Sequence, residues 1–497
     1  MNGNGYLIGY DIGSSSIKAT LLESETGKVI ASAISPQKEL EIIAQKPGWA
    51  EQHPTTWWEH VKKATAEIRS KTRVNLRDVK AIGISYQMHG LVLVDDQKRP
   101  LRPSIIWCDS RAVDIGNKAF SDIGNEKCLS HLLNSPGNFT ASKLKWVKDN
   151  EPEVFDKIFK IMLPGDYIAM KLTGEIATTP SGLSEGIMWD FQRHERADFV
   201  LDNYGIPHDM IPSVAPTFSI QGGVLKDVAD ELGLSAGTPI AYRAGDQPNN
   251  ALSLNVLNPG EIAATAGTSG VVYGVTDLSK YDPACRVNTF VHVNYSPDSP
   301  RYGILLCVNG TGILNRWMRT TLCGSGMTYD RMNGLAQQAP AGCDGLLVLP
   351  YGNGAERTLE NRAIQASING INFSVHTQSH LLRAAQEGIV FALRYGLDVM
   401  REMGVSIHVV RAGHANMFQS PLFAEVFATS AQAHLELYNT DGSQGAARGA
   451  GVGAGIYKGF NQAFSNLKVV NRIQPNNELK SVYDDTYGRW KELVAKS

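Results

Sequence analysis

The residue of this chain best placed for acid–base chemistry is an aspartate at the end of an apolar run. The segment Arg243-Ala-Gly245-Asp246-Gln247-Pro248 follows the strand-like residues 239–242. A carboxylate at a strand end that faces a cleft can take a proton from a hydroxyl group. Aspartate is also among the preferred N-cap residues of helices, and the local sequence alone favours that structural role. Both interpretations stay open at this point.

A second acid, Asp11, lies at the tip of a predicted β-hairpin. The run Tyr6-Leu-Ile-Gly-Tyr-Asp11-Ile-Gly13-Ser14-Ser15-Ser16-Ile-Lys18-Ala-Thr-Leu-Leu22 is apolar, turns through a glycine and three serines, and becomes apolar again. Backbone amides in a tight turn form a concavity that binds anions such as phosphate. Asp11 could hold the Mg²⁺ that a nucleotide brings. Taken alone, the same pattern is also that of an ordinary turn.

The same pattern occurs again about half a chain later. Glu261-Ile-Ala-Ala-Thr-Ala-Gly267-Thr268-Ser269-Gly270-Val-Val-Tyr-Gly-Val275 is a strand-like run, a tip of glycine and hydroxyl residues, and a returning apolar run. A repeat at this spacing predicts two related domains that face each other, each with one phosphate-binding turn. A nucleotide between two such turns is the arrangement of the actin-like, or ribonuclease-H-like, ATPases, which the pattern resembles.

Two polar clusters follow other predicted strands. Gln87-Met88-His89 offers hydrogen-bond donors, an acceptor and an apolar wall, which suit a polyol; the alternative is a surface histidine with ordinary partners. Trp107-Cys-Asp109-Ser-Arg111 adds an acid and a guanidinium group after another apolar run. An isolated Asp-x-Arg pattern is more typical of a structural ion pair than of a binding site.

Composition favours a two-domain intracellular enzyme. The chain has 497 residues, too many for one core, and 47 basic against 49 acidic residues, with no basic block for nucleic acid or anionic lipid. Its six cysteines are scattered without a Cys-x-x-Cys pair, which indicates reduced thiols. We expect neither a signal peptide nor a membrane span, and a cytoplasmic location.

Strand-like and helical runs alternate along the chain, which predicts an α/β fold. We place the domain boundary near residues 252–258, which gives an N-terminal domain over 1–253 and a C-terminal domain over 254–497. The middle segment 132–170 is predicted to be mostly helical. Predicted strands are 7–10, 20–22, 29–33, 81–85, 91–94, 239–245, 302–308, 346–349 and 407–412, and the predicted helices are 55–70, 379–403 and 421–433.

Motifs over nearly the whole chain resemble the FGGY carbohydrate kinases and, within that family, the xylulokinase group. The run Gln87-Met88-His89-Gly90 is typical of that group rather than of the glycerol kinases. The other matching motifs are Asp11-Ile-Gly13-Ser14-Ser15 with Lys18, Trp49-Ala-Glu51-Gln52-His-Pro54 with Trp57-Trp58, Leu101-Arg102-Pro103 with Trp107, Asp109-Ser-Arg111, Asn138-Phe-Thr140-Ala-Ser-Lys143-Leu-Lys-Trp146-Val147, Met162-Leu-Pro164-Gly-Asp166-Tyr167, Lys171-Leu-Thr173-Gly174-Glu175, Gly245-Asp246, Gly267-Thr268-Ser269-Gly270-Val271, Leu349-Pro350-Tyr351 with Glu356-Arg357, and 366–387.

The resemblance implies a role for individual residues. Asp246 matches the family's catalytic base, and Asp11 matches the acid of the first phosphate loop, close to the metal. The positions implied to contact the sugar are Gln87, Met88, His89 and Trp107, beside Asp246. Those implied to bind the nucleotide are Gly13, Ser14, Ser15, Lys18, Gly267, Thr268, Ser269, Gly413 and Ala415. The chain departs from the family pattern at His414, at Gln247-Pro248 and at Gln386.

The fold implied by the resemblance is a pair of ribonuclease-H-like (actin-like ATPase) domains with a catalytic cleft between them. The implied reaction is ATP- and Mg²⁺-dependent phosphorylation of the terminal hydroxyl of a ketopentose, D-xylulose giving D-xylulose 5-phosphate, by an enzyme that could form a homodimer. Alternatives are a kinase for ribulose, fuculose, gluconate or glycerol, an actin-like ATPase without sugar kinase activity, and a binding protein that has lost catalysis.

Overall fold

The computed structural model describes residues 5–324, 326–360, 362 and 364–497, without the side chains of Glu356 and Arg357. The motif Glu356-Arg357 therefore lies outside the described side chains. Within the described residues, secondary structure alternates between strands and helices, as the sequence predicts. Cysteines form no disulfide among the described residues, in agreement with the predicted reduced thiols.

The N-terminal half contains thirteen strands and ten helices among its described residues. Its strands are β1 (Tyr6–Ile12), β2 (Ile17–Glu23), β3 (Val29–Ser35), β4 (Glu51–Gln52), β5 (Val79–Tyr86), β6 (Val92–Val94), β7 (Ser104–Ile105), β8 (Lys160–Met162), β9 (Ala177–Thr178), β10 (Trp189–Asp190), β11 (Glu195–Arg196), β12 (Ser213–Val214) and β13 (Ile240–Gly245). Its helices are α1 (Pro54–Lys71), α2 (Val113–Ile123), α3 (Asn125–Leu132), α4 (Thr140–Asn150), α5 (Pro152–Phe155), α6 (Pro164–Thr173), α7 (Pro180–Glu185), α8 (Asp198–Tyr204), α9 (Lys226–Leu232) and α10 (Asp246–Ser253).

The C-terminal half contains nine strands and seven helices in the part that the structure describes. Its strands are β14 (Glu261–Ala266), β15 (Gly270–Thr276), β16 (Asn288–Val291), β17 (Tyr302–Val308), β18 (Leu347–Leu349), β19 (Ser367–Asn369), β20 (Val409–Gly413), β21 (His434–Tyr438) and β22 (Val469–Ile473). Its helices are α11 (Thr311–Leu322), α12 (Tyr329–Ala336), α13 (Gln378–Glu402), α14 (Pro421–Ala431), α15 (Gly442–Gly453), α16 (Phe460–Ala463) and α17 (Lys480–Lys496).

Two sheets organise the chain, and they share one plan. The first sheet has the order β13-β5-β1-β2-β3, and the second has the order β16-β17-β15-β14-β20-β21-β22. In each sheet an antiparallel hairpin, β1–β2 or β14–β15, continues into strands that run parallel to its first member. The two predicted hairpins are therefore confirmed, at equivalent places in two related sheets.

Strand alternation explains why Asp11 faces the interior between elements. Ile8, Tyr10 and Ile12 of β1 point into the core that also contains α1, whereas Leu7 packs with residues of α15 on the opposite face. Successive side chains of a strand point to opposite faces. Asp11 therefore lies on the same face as Leu7, the face that α15 covers.

Helices α10 and α15 each leave one sheet and pack against the other. Helix α10 follows β13 of the first sheet, and its Ala251 packs in a cluster with Val271 and Tyr273 of the second sheet. Helix α15 follows β21 of the second sheet and packs on β1, β5 and β13. The two helices cross where a Cβ on Gly445 would lie 1.9 Å from the Ser253 hydroxyl oxygen.

The predicted helical segment 132–170 is only partly helical. It contains α4, α5 and the start of α6, but Lys160–Met162 forms β8, which pairs antiparallel with β6. That strand is three residues long, and its pairing partner lies far away in the sequence, so local periodicity could not reveal it.

Candidate active site

Asp246 is the first residue of α10, directly after β13. Gly245 is the N-cap of this helix, so the capping role considered for Asp246 is wrong. The amide of Gln247 still lies near the carboxylate and lowers its pKa. The end of a parallel strand and the start of a helix thus present this acid at the sheet edge where cleft ligands bind in α/β folds.

The carboxyl group of Asp246 titrates far from its ordinary range. Burial raises its pKa, and the nearby charge of Asp11 raises it further, to about 7. The amide groups at the start of α10 act in the opposite direction but do not outweigh these two causes. A carboxylate with a pKa near neutrality is a stronger base than an ordinary aspartate and suits proton abstraction at physiological pH.

Asp11 is held by the hairpin and by neighbouring elements. The Ser85 hydroxyl of β5 donates to its Oδ1 at 2.9 Å, and Lys18 lies directly opposite in the β1–β2 register. Burial raises the pKa of Asp11, Lys18 and Ser85 lower it, and Asp441 raises it again. The net direction is upward, because the cost of burying the charged carboxylate outweighs the stabilisation by Lys18 and Ser85.

The tip of the first hairpin is a closed four-residue turn. The Gly13 amide donates to the Ser16 carbonyl at 3.1 Å, and Gln52 Nε2 donates to the Ser14 carbonyl at 2.7 Å. The Trp107 indole donates to the Ser14 hydroxyl at 3.3 Å. The predicted phosphate turn and the predicted sugar contact Trp107 are therefore neighbours.

The predicted sugar contacts Met88 and His89 lie beside the predicted base. A Cβ on Gly245, the residue before Asp246, would lie 2.6 Å from Cγ of Met88. Gln87 is buried, its amide donates to the Ile12 carbonyl, and its side-chain Oε1 has no partner within the described chain. The turn after β5 therefore brings these residues to Asp246.

The ring of His89 has a defined protonation pattern. Its Nδ1 lies 2.8 Å from the Glu185 carbonyl oxygen, which can only accept, so Nδ1 carries the proton. Phe139 and Phe290 pack on the ring with centroid distances of 4.8 and 5.4 Å. Since Phe290 belongs to β16, both halves of the chain position His89.

The tip of the second hairpin opens onto a cavity of about 360 Å³, a size typical of ligand sites. The Gly312 amide donates to the Gly267 carbonyl at 2.9 Å and ties the tip to the start of α11. The cavity is lined by Ala266, Gly267, Thr268, Gly312, Ile313, Asn315, Arg316, Tyr329, Asp330, Asn333, Gln386, Asn416, Met417, Gln419 and Ser420.

A directional hydrogen-bond relay crosses the wall of this cavity. Ser420 accepts from the Phe423 amide as the N-cap of α14, so its single hydroxyl proton is available for Gln386 Oε1 at 3.3 Å. Gln386 Nε2 then donates to Asn333 Oδ1 at 3.0 Å. The relay leaves the Asn333 amide nitrogen as a donor, while the buried Oδ1 of Asn315 has no partner among the described residues.

Of the residues predicted to bind the nucleotide, Gly267 and Thr268 line this cavity, whereas Ser269, Gly413 and Ala415 do not. Asn416, the residue after Ala415, is in the lining. Gly413 ends β20, and a Cβ on it would lie 3.7 Å from the Thr440 carbonyl. Asp441, the next residue, is the N-cap of α15 and raises the pKa of Asp11. The segment 439–441 thus lies near the end of β20 through Thr440 and near Asp11 through Asp441.

Glu185 is a further buried acid in this region, and no motif in the sequence gives it an individual role. Its carboxyl Oε2 would lie 2.9 Å from a Cβ on Gly245. Burial raises its pKa well above the usual value and Asp246 raises it too, while the Tyr86 hydroxyl opposes part of the shift. Neither carboxyl oxygen has a partner of good geometry in the described chain. Only the buried surroundings identify this acid, since its sequence neighbours are those of an ordinary helix end.

The structural interpretation of the Asp-x-Arg pattern agrees with the geometry. Asp109 and Arg111 form a buried ion pair at 2.7 Å, and the Asp109 carboxylate also accepts from the Ala50 amide. The Arg111 guanidinium lies 3.8 Å from the ring centroid of Trp49 and 4.7 Å from that of Trp146. This pair stabilises the loop that carries Trp107.

The neighbouring carboxyl groups of Asp11, Asp246 and Asp441 fit a metal ion that arrives together with a ligand. Among the described residues, no group of three His, Cys, Asp or Glu side chains could hold a metal ion alone. Mg²⁺ is typically bound by one or two carboxylates together with substrate phosphates and water. Asp11 offers Oδ2, which faces Gly442, and the charge of Asp441 acts on the same carboxylate. In the described part of the chain, no helix is both long and apolar enough to cross a membrane.

Comparisons with known proteins agree over nearly the whole chain. Residues 6–253 match the N-terminal domain of the FGGY family of carbohydrate kinases, and residues 262–455 match its C-terminal domain. Xylulose kinase of Bacillus subtilis is 31% identical over 451 residues, which cover 89% of this chain and 87% of that protein.

Solved structures show the same architecture. The crystal structure of xylulose kinase from Rhodospirillum rubrum has a TM-score of 0.88 at 27% identity and covers 99% of this chain and 98% of its own. Gluconate kinase from Lactobacillus acidophilus has a TM-score of 0.90 at 23% identity, with 99% and 98% coverage. The predicted α/β fold with two actin-like ATPase domains is confirmed. This chain belongs to the FGGY family of carbohydrate kinases, and it is a phosphotransferase with an alcohol group as acceptor.

Proposed function

We propose that this chain transfers the γ-phosphoryl group of ATP to the terminal hydroxyl of a ketopentose, converting D-xylulose to D-xylulose 5-phosphate. The observation that carries the proposal is the Asp246 carboxyl, which has a pKa of about 7 and lies beside both Asp11 and the Met88–His89 turn. The relatives named xylulose kinase at about 30% identity support the choice of sugar.

In the proposed reaction, Asp246 orients the terminal hydroxyl of the sugar and accepts its proton. The hydroxyl oxygen forms a bond to the γ-phosphorus, the bond from that phosphorus to the bridging oxygen breaks, and ADP leaves. Phosphoryl transfer requires positioning and charge stabilisation rather than covalent chemistry by the protein. A base with a pKa near 7 is ionised in about half the molecules at neutral pH and still accepts a proton readily.

Met88 and His89 are proposed to bind the sugar. The His89 ring, held by the donation of its Nδ1 to the Glu185 carbonyl, is proposed to contact a sugar hydroxyl. Met88 supplies an apolar surface for the carbon chain beside Gly245. The Trp107 indole, which is 42% exposed, is proposed to cover the sugar from the side of the first phosphate turn.

The nucleotide is proposed to occupy the cavity beside Gly267 and Thr268, with its phosphates directed toward the two hairpin tips. Gly13, Ser14, Ser15 and Lys18 would contact phosphate from the first hairpin and Ser269 from the second. Gly413 and Ala415 would lie against the adenosine. Mg²⁺ bound by Asp11 would neutralise charge on the phosphates. Because helices α10 and α15 cross between the two halves, we expect closure of the proposed domains 1–253 and 254–497 to exclude water.

The substrate is tested by measuring ADP release with a panel of acceptors. D-Xylulose, D-ribulose, L-fuculose, gluconate and glycerol are each supplied with ATP and Mg²⁺, and the product is identified by phosphorus NMR. We expect the highest kcat/KM with D-xylulose and a 5-phosphate product. A higher kcat/KM with another acceptor would replace the proposed sugar, and ATP turnover that does not depend on any acceptor would indicate an ATPase.

The role of Asp246 is tested in the same assay with Asp246→Asn. We expect kcat to fall by about 10²–10⁴-fold, the usual contribution of a general base. Sugar binding, followed by tryptophan fluorescence, should change little. Asp96→Asn, an exposed loop acid, is the matched control and should retain full activity. Near-normal turnover of Asp246→Asn would contradict the assigned role.

A further inference from the structure

Lys143 of α4 is a fully buried lysine that no step of the proposed reaction uses. Its ammonium nitrogen donates to the carbonyl oxygen of His89 and to that of Ile106, both at 2.9 Å. His89 belongs to the turn after β5, and Ile106 immediately precedes Trp107. One cation therefore joins the two segments that carry the proposed sugar contacts.

A buried lysine with carbonyl partners is a costly arrangement. Burial lowers the pKa of Lys143 to about 8, and Asp109 opposes that shift. The Asp109 carboxylate is already paired with Arg111 and accepts from the Ala50 amide, so Lys143 does not serve as its main partner. An uncompensated buried charge is unfavourable, and exceptions to the usual rules of packing concentrate at functional sites.

The backbone at His89 needs external support. Its φ of 60° lies in the left-handed region, which costs a residue with a side chain about 1–2 kcal/mol. Such conformations persist when the surroundings hold them in place. The Glu185 carbonyl holds the ring through Nδ1, Phe139 and Phe290 pack on its faces, and Lys143 holds the carbonyl.

The segment of Ile106, the second partner of Lys143, is also held in place by hydrogen bonds. The Ile106 amide donates to the Ala50 carbonyl at 3.0 Å, and the next residue, Trp107, donates from its indole to the Ser14 hydroxyl. A displacement of the Ile106 carbonyl would therefore move Trp107 relative to His89. Lys143 sets the distance between them.

We propose that Lys143 is a positioning residue for the sugar site, whose ammonium group fixes the His89 turn against the Trp107 segment. This inference rests on the proposed function, because it takes His89 and Trp107 as sugar contacts. Lys143 itself touches neither the substrate nor the reacting atoms. Its loss should therefore weaken sugar binding and leave nucleotide binding unchanged.

The test compares Lys143→Met with Lys145→Met, in which the replaced lysine is a partly exposed residue of the same helix that pairs with Asp149. We expect Lys143→Met to raise KM for the sugar at least tenfold, with KM for ATP within twofold of wild type. Lys145→Met should match wild type in both constants. Unchanged KM for the sugar in folded Lys143→Met would overturn the proposal, as would equal rises in the two KM values.

Lys143→Arg decides the question if Lys143→Met does not fold. Arginine keeps the charge and the donors, but its larger planar group cannot reach both carbonyls in the same geometry. We expect a folded enzyme with a sugar KM at least threefold above wild type and a normal KM for ATP. A wild-type sugar KM in Lys143→Arg would contradict the proposal. Failure of the proposed function is distinct, because wild type itself would then phosphorylate no sugar.

Discussion

Asp11 and Asp246 come from opposite ends of the first half of the chain, and the charge of Asp11 raises the pKa of Asp246. Burial contributes the larger share of the shift to about 7. Asp11 is in turn raised by its own burial and by Asp441, against the attraction of Lys18. Two neighbouring acids with elevated pKa values form a site that destabilises the protein until a cation or a proton arrives.

The raised pKa predicts that Asp246→Asn stabilises the protein at alkaline pH. The carboxyl holds its proton in the folded state up to about pH 7 but ionises near 3.8 when unfolded. Its unfavourable contribution is therefore absent below pH 3.8, grows as pH rises, and is complete above pH 7. We expect the Tm of Asp246→Asn to exceed that of wild type by about 2 °C or more at pH 8.

The same comparison at pH 4 provides the internal control. There the wild-type carboxyl is protonated in the folded state and close to half protonated in the unfolded state, so most of the difference in Tm should disappear. A Tm gain of equal size at pH 4 and pH 8 would show that the effect is not ionic.

Asp11→Asn is expected to lower the pKa of Asp246, because it removes a like charge from its surroundings. The acidic limb of kcat/KM against pH should move to lower pH, and the maximal rate will fall with the loss of the proposed Mg²⁺ ligand. The profile is measured between pH 5 and 9, with Asp96→Asn as the control. An acidic limb that stays at the wild-type pH would indicate that the two carboxyls do not interact.

Alanine at Gly9 or Gly83 should destabilise the packing of α15 on the first sheet. A Cβ on Gly9 would lie 1.9 Å from the Ser443 carbonyl oxygen, and one on Gly83 would lie 2.0 Å from the Ala446 carbonyl oxygen. Because backbone atoms cannot move aside as a side chain can, the helix must shift. We expect a loss of about 1–3 kcal/mol or more in the free energy of unfolding, measured by denaturant titration.

Gly334→Ala is the matched control for these variants. Gly334 lies within α12, and a Cβ there would meet no atom within 4 Å. Alanine has the higher helix propensity, so this change should stabilise by up to about 1 kcal/mol. Equal destabilisation by all three substitutions would argue against a close helix–sheet contact as the cause.

Gln386→Leu should weaken ATP binding through the relay in the cavity wall. Without Gln386, the Asn333 side-chain oxygen loses its donor, and nothing then keeps the Asn333 amide nitrogen turned toward the cavity. The Ser420 hydroxyl loses its acceptor at the same time. A buried polar group without a partner costs about 1–3 kcal/mol, so KM for ATP should rise about fivefold or more. KM for the sugar should stay within twofold.

Gln378→Leu serves as the control for this prediction. Gln378 is the exposed first residue of the same helix, and its side chain contacts the Leu322 carbonyl at the surface. We expect it to leave both KM values unchanged. If Gln386→Leu also leaves KM for ATP unchanged, the relay does not contribute to the nucleotide site.

Local patterns predicted the hairpins well because they depend on residues close in sequence. Alternating apolar residues and a tip of glycine and serine residues predict β1–β2, and the equivalent pattern predicts β14–β15. Helix α1 could be predicted equally well, since Pro54 starts it and Trp57, Trp58 and Val61 form one buried face. Strand β8 could not be predicted from local sequence, because it is a strand only through its pairing with β6, which is distant in the sequence.

The site was predicted in part. The sequence, through motifs, identified Asp246, Asp11 and the Met88–His89 turn, and the structure brings these residues together. Glu185, Ser420 and Asn333 carry no motif, and Gln386 entered only as a departure from one, because a buried carboxyl or amide is distinguished only by what surrounds it. The roles of Gly413 and Ala415 in nucleotide binding stay predictions.

The repeated hairpin, the α/β class and the family were all predictable before any coordinates, since they follow from local periodicity and from motifs in a given order. Three features needed the folded chain: α10 and α15 each pack on the sheet of the other half, Asp246 has a pKa of about 7, and Lys143 bridges two carbonyls. Burial and charge–charge interaction depend on distances between atoms that are remote along the chain, and local patterns do not contain those distances.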